Sequence, residues 1–271
     1  MLCPSKHKPM FLDGKQEKRQ ERMENIMELK KMLSLTRQTI EEYKLIESGD
    51  KIAVGLSGGK DSIALLYTLA SLQKFYPIPF ELEAITVDLG FEAMDFGEVH
   101  AFCRHLGIPY TIVSTQIGPI VFQARKETHP CSLCAKMRRG AINKKAQELG
   151  CNKIAYAHHR DDYAETLLMS LFFEGRFYTF APYTFINGID LSLIRPFLRV
   201  GEGSIRSFVN RYSLPVVTNL CPADHKTRRE EIKQLMKTLK KVYPDLTDRL
   251  LHAAKTSSIE DWLKMKNRIS Q

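Results

Sequence analysis

The apolar run Lys51-Ile-Ala-Val-Gly-Leu56 passes without a break into Ser57-Gly58-Gly59-Lys60-Asp61-Ser62. This is a strand that turns on two glycines and restarts as a helix. Glycine admits backbone angles closed to other residues and lets the main chain approach a ligand. Amide N–H groups of the turn and of the helix N-terminus then converge on negative charge. Lys60 adds a mobile cation, and Ser57 and Ser62 add hydroxyl donors. The pattern predicts a phosphate-holding turn at a strand end of an α/β domain.

The turn is not the loop that grips the outer phosphates in G-x-x-x-x-G-K-[ST] proteins. The first glycine of that pattern would fall at Val54, and Asp61 follows the lysine in place of Ser or Thr. SGGKDS instead resembles the PP-loop of the N-type ATP pyrophosphatases. The resemblance implies splitting of ATP between its α and β phosphates, with transfer of AMP to a substrate oxygen.

Around this turn the chain alternates. Strands are predicted at 51–56, 81–87, 109–114 and 152–157, and helices at 61–74, 95–106, from the Cys131 region to 149, and at 161–173. A further strand falls within 188–196 and a helix at 202–212. Such alternation predicts an α/β fold with a doubly wound parallel sheet, Rossmann-like, and the PP-loop resemblance places it with the adenine nucleotide alpha hydrolase-like domains. Residues 14–47 read as a helix, and 224–241 and 247–266 as two more. The expected organisation is an N-terminal helical extension over 1–47, a PP-loop ATP pyrophosphatase domain over 48–222 and a C-terminal helical extension over 223–271. In open sheets of this kind ligands bind beyond the carboxyl ends of the strands, where the strand order reverses.

Two other strand ends carry chemistry. Thr86-Val87-Asp88 closes the second strand, where the resemblance puts the adenosine of ATP; a carboxylate capping the next turn accounts for Asp88 as well. Ala157-His158-His159-Arg160-Asp161-Asp162 packs imidazoles and two carboxylates at a helix start. Asp161 or Asp162 suits the Mg2+ of ATP, an ion that prefers carboxylate and phosphate oxygens, although helix capping alone would explain Asp162. His159-Arg160-Asp161 and Asp95-Phe96-Gly97 imitate protein-kinase tripeptides, but in reversed order and without the kinase glycine loop.

Six cysteines, with no signal of a small disulfide scaffold, read as thiols or metal ligands. Cys131-Ser-Leu-Cys134 has the spacing that turns both thiolates to one metal or cluster. The pair alone leaves zinc, a redox dithiol, a cluster and coincidence open. Arg138, one turn on, sits near thiolates or a phosphate. A third thiol, Cys221, lies in Thr-Asn-Leu-Cys-Pro, and three is an odd count for structural zinc. Cys103 and Cys151 lie in or beside apolar elements and read as packed residues, Cys3 is isolated, and His129 is a candidate fourth ligand.

SGGKDS, HPCSLCAKMRRG, AHHRDDYAET, LIRPFLRV and TNLCP follow one another in an order and at spacings similar to those of the tRNA 2-thiocytidine synthetases, the TtcA group of PP-loop enzymes. The resemblance covers roughly residues 35–255. It implies an ATP-dependent sulfurtransferase that thiolates cytidine 32 of the tRNA anticodon loop with a 4Fe-4S cluster on Cys131, Cys134 and Cys221. It also implies ATP binding by Ser57, Gly58, Gly59, Lys60, Asp61, Ser62, Val87, Asp88 and His158, and catalysis by Asp61, Arg138, Asp161 and Asp162 with Mg2+. Adenylation of cytosine O2 would turn a poor leaving oxygen into a good one, and sulfur would then expel AMP. Two related chemistries differ in their cysteines: a lysidine synthetase needs no thiol triad, and a thiouridine synthetase of the related type brings extra C-x-x-C zinc fingers, absent here. A persulfide relay through Cys134 and Cys221 without iron, and a zinc-stabilised nucleic-acid module with a degenerate loop, are the other readings.

Forty Lys and Arg against thirty-one acids give a formal charge of +9, which favours a polyanionic partner. Arg139, Lys226, Arg228, Arg229 and Lys233 are the expected tRNA contacts, with Lys237, Lys240 and Lys241 on the same C-terminal helix opposite Ile232, Leu235, Met236 and Leu239. The aromatic stretch Phe177, Tyr178, Phe180, Tyr183, Phe185 reads as core or loop packing, or as rings for stacking an unpaired base. No apolar stretch is long enough to span a bilayer and the start lacks a secretory centre, so a soluble cytoplasmic protein is expected. The implied partners are tRNA, a sulfur donor (a cysteine desulfurase or free sulfide) and a second copy in a homodimer.

Overall fold

The computed structural model describes residues 14–91, 94–124, 130–217, 221, 228–257, 265 and 267–269. Helix α1 (Gly14–Glu42) leads into β1 (Asp50–Gly55), α2 (Lys60–Gln73), β2 (Phe80–Asp88), α3 (Gly97–Leu106) and β3 (Tyr110–Ser114). A short turn, α4 (Ile117–Pro119), runs into a π-helical turn at Ile120–Ala124, followed by α5 (Pro130–Glu148), β4 (Lys153–Ala155) and α6 (Arg160–Glu174). Strands β5 (Tyr183–Phe185) and β6 (Ser192–Ile194), then helices α7 (Glu202–Arg211), α8 (Arg228–Val242) and α9 (Leu246–Thr256), complete the described chain.

The six strands form one sheet in the order β3-β2-β1-β4-β6-β5. The pairs β1–β2, β1–β4, β2–β3 and β4–β6 are parallel, and β5 alone runs antiparallel, against β6. A parallel sheet is covered on both faces, so its strands carry nearly continuous apolar runs. Ile52 and Val54 of β1 join the core built by α1, α2, α6 and α7, while Ala53 between them joins Ile85, Val87 and Ile154 under α5. Successive side chains of a strand point to opposite faces, which accounts for the split.

From β1 the chain steps outward to β2 and β3, then crosses back to lay β4 on the other flank of β1. That reversal puts the ends of β1 and β4 side by side, and with them SGGKDS and His158-His159-Arg160-Asp161-Asp162. At the opposite edge, where β1 and β4 begin, a buried ion pair ties the two strands: Lys153 Nζ lies 2.6 Å from Asp50 Oδ2, with both side chains almost fully enclosed. Asn152 Nδ2 donates to Asp50 Oδ1 at 2.8 Å.

The parallel α/β architecture is the one expected from the alternation. Strand β4 covers 153–155 of the expected 152–157, although the Tyr156 N–H still donates to Ile194 O at 3.0 Å. The antiparallel β5 was not anticipated, since its three residues fall inside the aromatic stretch. The second half of α1 belongs to the main core through Met32, Ile40 and Tyr43. Toward the start of α1, Met23, Ile26 and Met27 are exposed. Helices α8 and α9 pack on α6, Ile232 and Met236 closing over Ala164 and Leu168. Among the described residues no helix is long and apolar enough to cross a membrane.

Candidate functional site

Gly58 sits at φ +80°, in the left-handed region, and its carbonyl accepts from the Val217 N–H at 2.9 Å. A Cβ at this position would fall 2.8 Å from Val217 Cβ, so both conformation and space demand glycine. The two serines brace the turn from inside. Ser57 N–H donates to Ser62 Oγ at 3.2 Å, Ser62 Oγ donates to Gly59 O at 2.9 Å, and Gly59 N–H reaches Ser57 Oγ at 3.3 Å. The amides at the start of α2 therefore face outward as a ready anion site.

Beside the turn lies an alternating cluster of charges. Lys60 Nζ is 3.0 Å from Asp61 Oδ2 and 3.0 Å from Glu202 Oε1. Burial pulls the Lys60 ammonium down, yet those two carboxylates hold it above its ordinary range. Asp161 accepts from the Glu202 N–H at 2.8 Å and from Lys240 Nζ. Burial pushes the Asp161 carboxyl up, but Lys240 and the Glu202 amide more than offset it and keep the group below the usual carboxylate range. Asp162 serves two partners at once. Its Oδ2 accepts from the His159 N–H at 3.1 Å while His159 Nδ1 accepts from the Asp162 N–H at 3.2 Å, a reciprocal cap on α6. Its Oδ1 accepts from Arg229 Nη1 at 3.1 Å. Capping and a charge-bearing role thus coexist in Asp162.

A cavity of about 480 Å³ opens at the strand ends. Ser57, Asp61 and Ser62 line one side of it, Val87 and Phe96 another, and Ala135, Arg138 and Arg139 of α5 a third. His158 and Asp162 reach the same space. Burial, aided by the charge of Arg195, drives the His158 imidazole down to about 3, so it faces the cavity as a neutral ring, 4.9 Å from the Phe180 ring. Asp88 Oδ1 accepts from the Gly90 N–H at 2.9 Å, so this carboxylate caps the turn after β2, and its neighbour Val87 lines the cavity.

On the first turn of α5, Cys131 is exposed and Cys134 is buried one turn on. Burial pushes the Cys134 thiol up, Arg138 opposes it, and Cys221 and then Cys131 push it up further. Cys134 therefore lies within electrostatic reach of both Cys221 and Cys131. Among the described residues no trio of Cys, His, Asp and Glu closes tightly enough around one point for a single metal ion. Cys103 and Cys151 are buried, and burial raises their thiols to about 12 and about 11, as suits packed, unreactive residues. His129, Lys226 and Cys3 lie outside the described residues.

The basic C-terminal helix is not a uniform solvent-facing stripe. Arg228 is exposed, its guanidinium 4.9 Å from the Phe173 ring centroid. By contrast Arg229 turns to Asp162, Lys233 Nζ lies 4.0 Å from Glu202 Oε1, and Lys240 pairs with Asp161. Sequence reasoning passed over Glu202, Glu165, Tyr156, Phe96 and Arg195 as site residues. Phe96 stands in the kinase-like tripeptide and Arg195 in LIRPFLRV, so both had a sequence signal; Glu202 had none beyond its place in a first helical turn.

A family model described as a PP-loop domain matches residues 27–239. The chain is 34% identical over 237 residues to the tRNA-cytidine(32) 2-sulfurtransferase of Pelobacter propionicus, spanning 86% of this chain and 88% of that protein. It is 36% identical over 229 residues to the protein of the same name from Geobacter sulfurreducens, spanning 83% and 88%. The chain belongs to the PP-loop family of tRNA-cytidine(32) 2-sulfurtransferases. The fold of this PP-loop protein is also that of the solved U34-tRNA thiolase NcsA from Methanococcus maripaludis, determined with its 4Fe-4S cluster, at a TM-score of 0.73, 24% identity and coverage of 85% and 78%. In the PP-loop frame, the turn after β1, the acidic start of α6 and the cysteine-bearing α5 meet at one opening.

Proposed function

We propose that the chain is an ATP-dependent tRNA sulfurtransferase that adenylates O2 of cytidine 32 and replaces that oxygen with sulfur. A single observation carries the reading: one cavity is lined both by the SGGKDS turn and by the helix that bears Cys131 and Cys134. Activation and sulfur delivery must act on the same carbon, so the two must share a space.

The residues divide the work. Turn amides and Lys60 hold the phosphates and stabilise charge growing on the departing pyrophosphate. Asp61, Asp161 and Asp162 are the donors that fit Mg2+, all being carboxylates gathered at one strand end. Val87 and the neutral His158 form a wall suited to a flat base. The O2 of cytosine attacks the α-phosphate, pyrophosphate leaves, and AMP becomes the leaving group at C2. Cys131, Cys134 and Cys221 are the residues that would hold a 4Fe-4S cluster: the first two stand one helical turn apart at the start of α5, and Cys221 interacts electrostatically with Cys134. When bound, the cluster supplies an open iron position for external sulfur, delivered by a cysteine desulfurase or as free sulfide. Arg138 sits between that triad and the cavity, and its guanidinium favours thiolate and phosphate alike.

For tRNA, Arg139 at the cavity edge, the exposed Arg228 and Lys226 are the proposed contacts. Arg229 and Lys233 serve the nucleotide side instead, given their carboxylate partners. Cytoplasmic location and a homodimer complete the proposal. The deciding experiment is nucleoside mass analysis of tRNA from cells lacking the gene, complemented with wild type or Lys60→Ala. 2-Thiocytidine should return only with wild type, and a nucleoside profile unchanged by the deletion overturns the proposal.

A further inference from the structure

The end of α6 exposes more aromatic surface than a helix terminus in a covered α/β sheet requires. Phe172 is 58% exposed, Phe173 39% and Phe177 44%. Single exposed apolar residues are ordinary, but three rings within six positions form a patch that calls for a partner. Two of the aromatic side chains here are overlaid by arginine. Arg228 lies 4.9 Å from the Phe173 centroid, and Arg176 4.6 Å from that of Tyr178, with Glu174 Oε2 accepting a hydrogen bond from Arg176 Nε at 2.6 Å.

The segment is also pinned. The helix ends on Gly175 at φ +62°. The Ser170 hydroxyl donates to Tyr178 O at 2.6 Å and accepts from the Tyr178 N–H at 3.1 Å, and Thr179 Oγ1 donates to Tyr163 O at 3.0 Å. Tyr178 itself lines the reaction cavity. The surface therefore runs from solvent to the cavity mouth on a backbone that is already ordered.

Resting on the tRNA reading above, we infer that Phe172, Phe173 and Phe177, with Arg176 and Arg228, form a stacking platform for the unpaired nucleotides that flank the target cytidine. Rings offer π-faces to bases of any sequence, and interleaved guanidinium groups meet the phosphates between them. Charge complementarity favours RNA as the occupant: the patch carries Arg176 and Arg228 on a chain of formal charge +9. Because the segment is held in place before binding, little ordering cost opposes the contact.

The test is fluorescence anisotropy with the full chain, using an RNA hairpin whose open loop carries the cytidine and the same RNA annealed to its complement. Phe172→Ala and Phe177→Ala should each weaken hairpin binding about tenfold, the scale of one lost stack, and leave duplex binding and ATP binding unchanged. Phe172→Tyr should restore the hairpin affinity. Equal loss on hairpin and duplex, no loss on either, or failure of the tyrosine variant overturns the platform. So does a shift from dimer to monomer in light scattering with hairpin affinity retained, which would give the patch to a second copy. The readout is binding alone, so the platform can stand in a chain that thiolates nothing and fall in one that does.

Discussion

Arg229, one residue into α8, donates from Nη1 to Asp162 Oδ1 at 3.1 Å and lies 3.5 Å from Glu165 Oε2. With Lys233 near Glu202 and Lys240 on Asp161, the C-terminal helix supplies three cations to the acidic cluster that includes Asp161 and Asp162, the proposed Mg2+ donors. Buried carboxylates are costly unless paired, so α8 stabilises the cluster until metal and nucleotide arrive.

Arg229→Ala should therefore lower the melting temperature of the nucleotide-free protein by removing a charge-assisted contact worth about 1.5–3 kcal/mol. Addition of Mg–ATP should raise the melting temperature of the variant by more than it raises that of wild type, since the metal replaces the lost cation. Thermal shift with and without Mg–ATP measures both, and equal shifts would remove α8 from this role.

Gly58→Ala forces a side chain into the left-handed region, which costs roughly 1–2 kcal/mol, and drives its Cβ to 2.8 Å from that of Val217. Gly59 has ordinary extended angles, φ −74° and ψ 157°, and its nearest neighbour for a Cβ is Ser57 Oγ at 3.3 Å. Calorimetric titration with ATP should show binding strongly weakened in Gly58→Ala, and unfolding experiments should show Gly59→Ala the more stable of the two.

The fold was readable in the sequence because each strand of the central sheet is a short apolar run followed by a turn signal and a helical period. The short β5 was not, because pairing with an edge strand depends on a neighbour that no local pattern names. In the site, the SGGKDS turn and the cysteine pair were legible since their chemistry lies in consecutive residues. Glu202, Glu165 and the inward side of α8 were not, because a charge on an amphipathic helix looks the same whether it faces water or a buried carboxylate. Asp88 was ambiguous by position alone, and its carboxylate does cap the turn through the Gly90 N–H.

Burial pushes the Glu165 carboxyl up to about 7, with Lys233 and Arg229 opposing and Asp162 and Glu202 reinforcing. Below about pH 4.5 the folded and unfolded chains both carry this proton, so the group has no effect. As pH rises toward 7 the unfolded chain releases it first, and folding then carries a cost on the order of 3 kcal/mol that persists at higher pH. Glu165→Gln escapes that cost. In nucleotide-free protein its stability relative to wild type should rise from about pH 5 to about pH 8 in denaturant titrations, and a constant difference would mean that Glu165 is ionised throughout.

Cys134 and Cys151 are both buried with raised thiols, yet only Cys134 lies within reach of two further sulfurs and of Arg138. Reactivity follows the surroundings of a thiol and not its burial. Anaerobic reconstitution with iron and sulfide should give Cys151→Ala the broad iron–sulfur absorbance of wild type, and give Cys134→Ala neither that absorbance nor thiolated nucleoside. Iron analysis separates the cluster from a bare persulfide relay: the relay predicts that wild type thiolates tRNA after chelation has removed all iron, whereas a cluster held by Cys131, Cys134 and Cys221 predicts that activity and iron content vanish together. Zinc in place of iron in the anaerobically purified protein would support the nucleic-acid module, but that module has no use for the Lys60 ammonium clamped between Asp61 and Glu202 at the mouth of a phosphate turn.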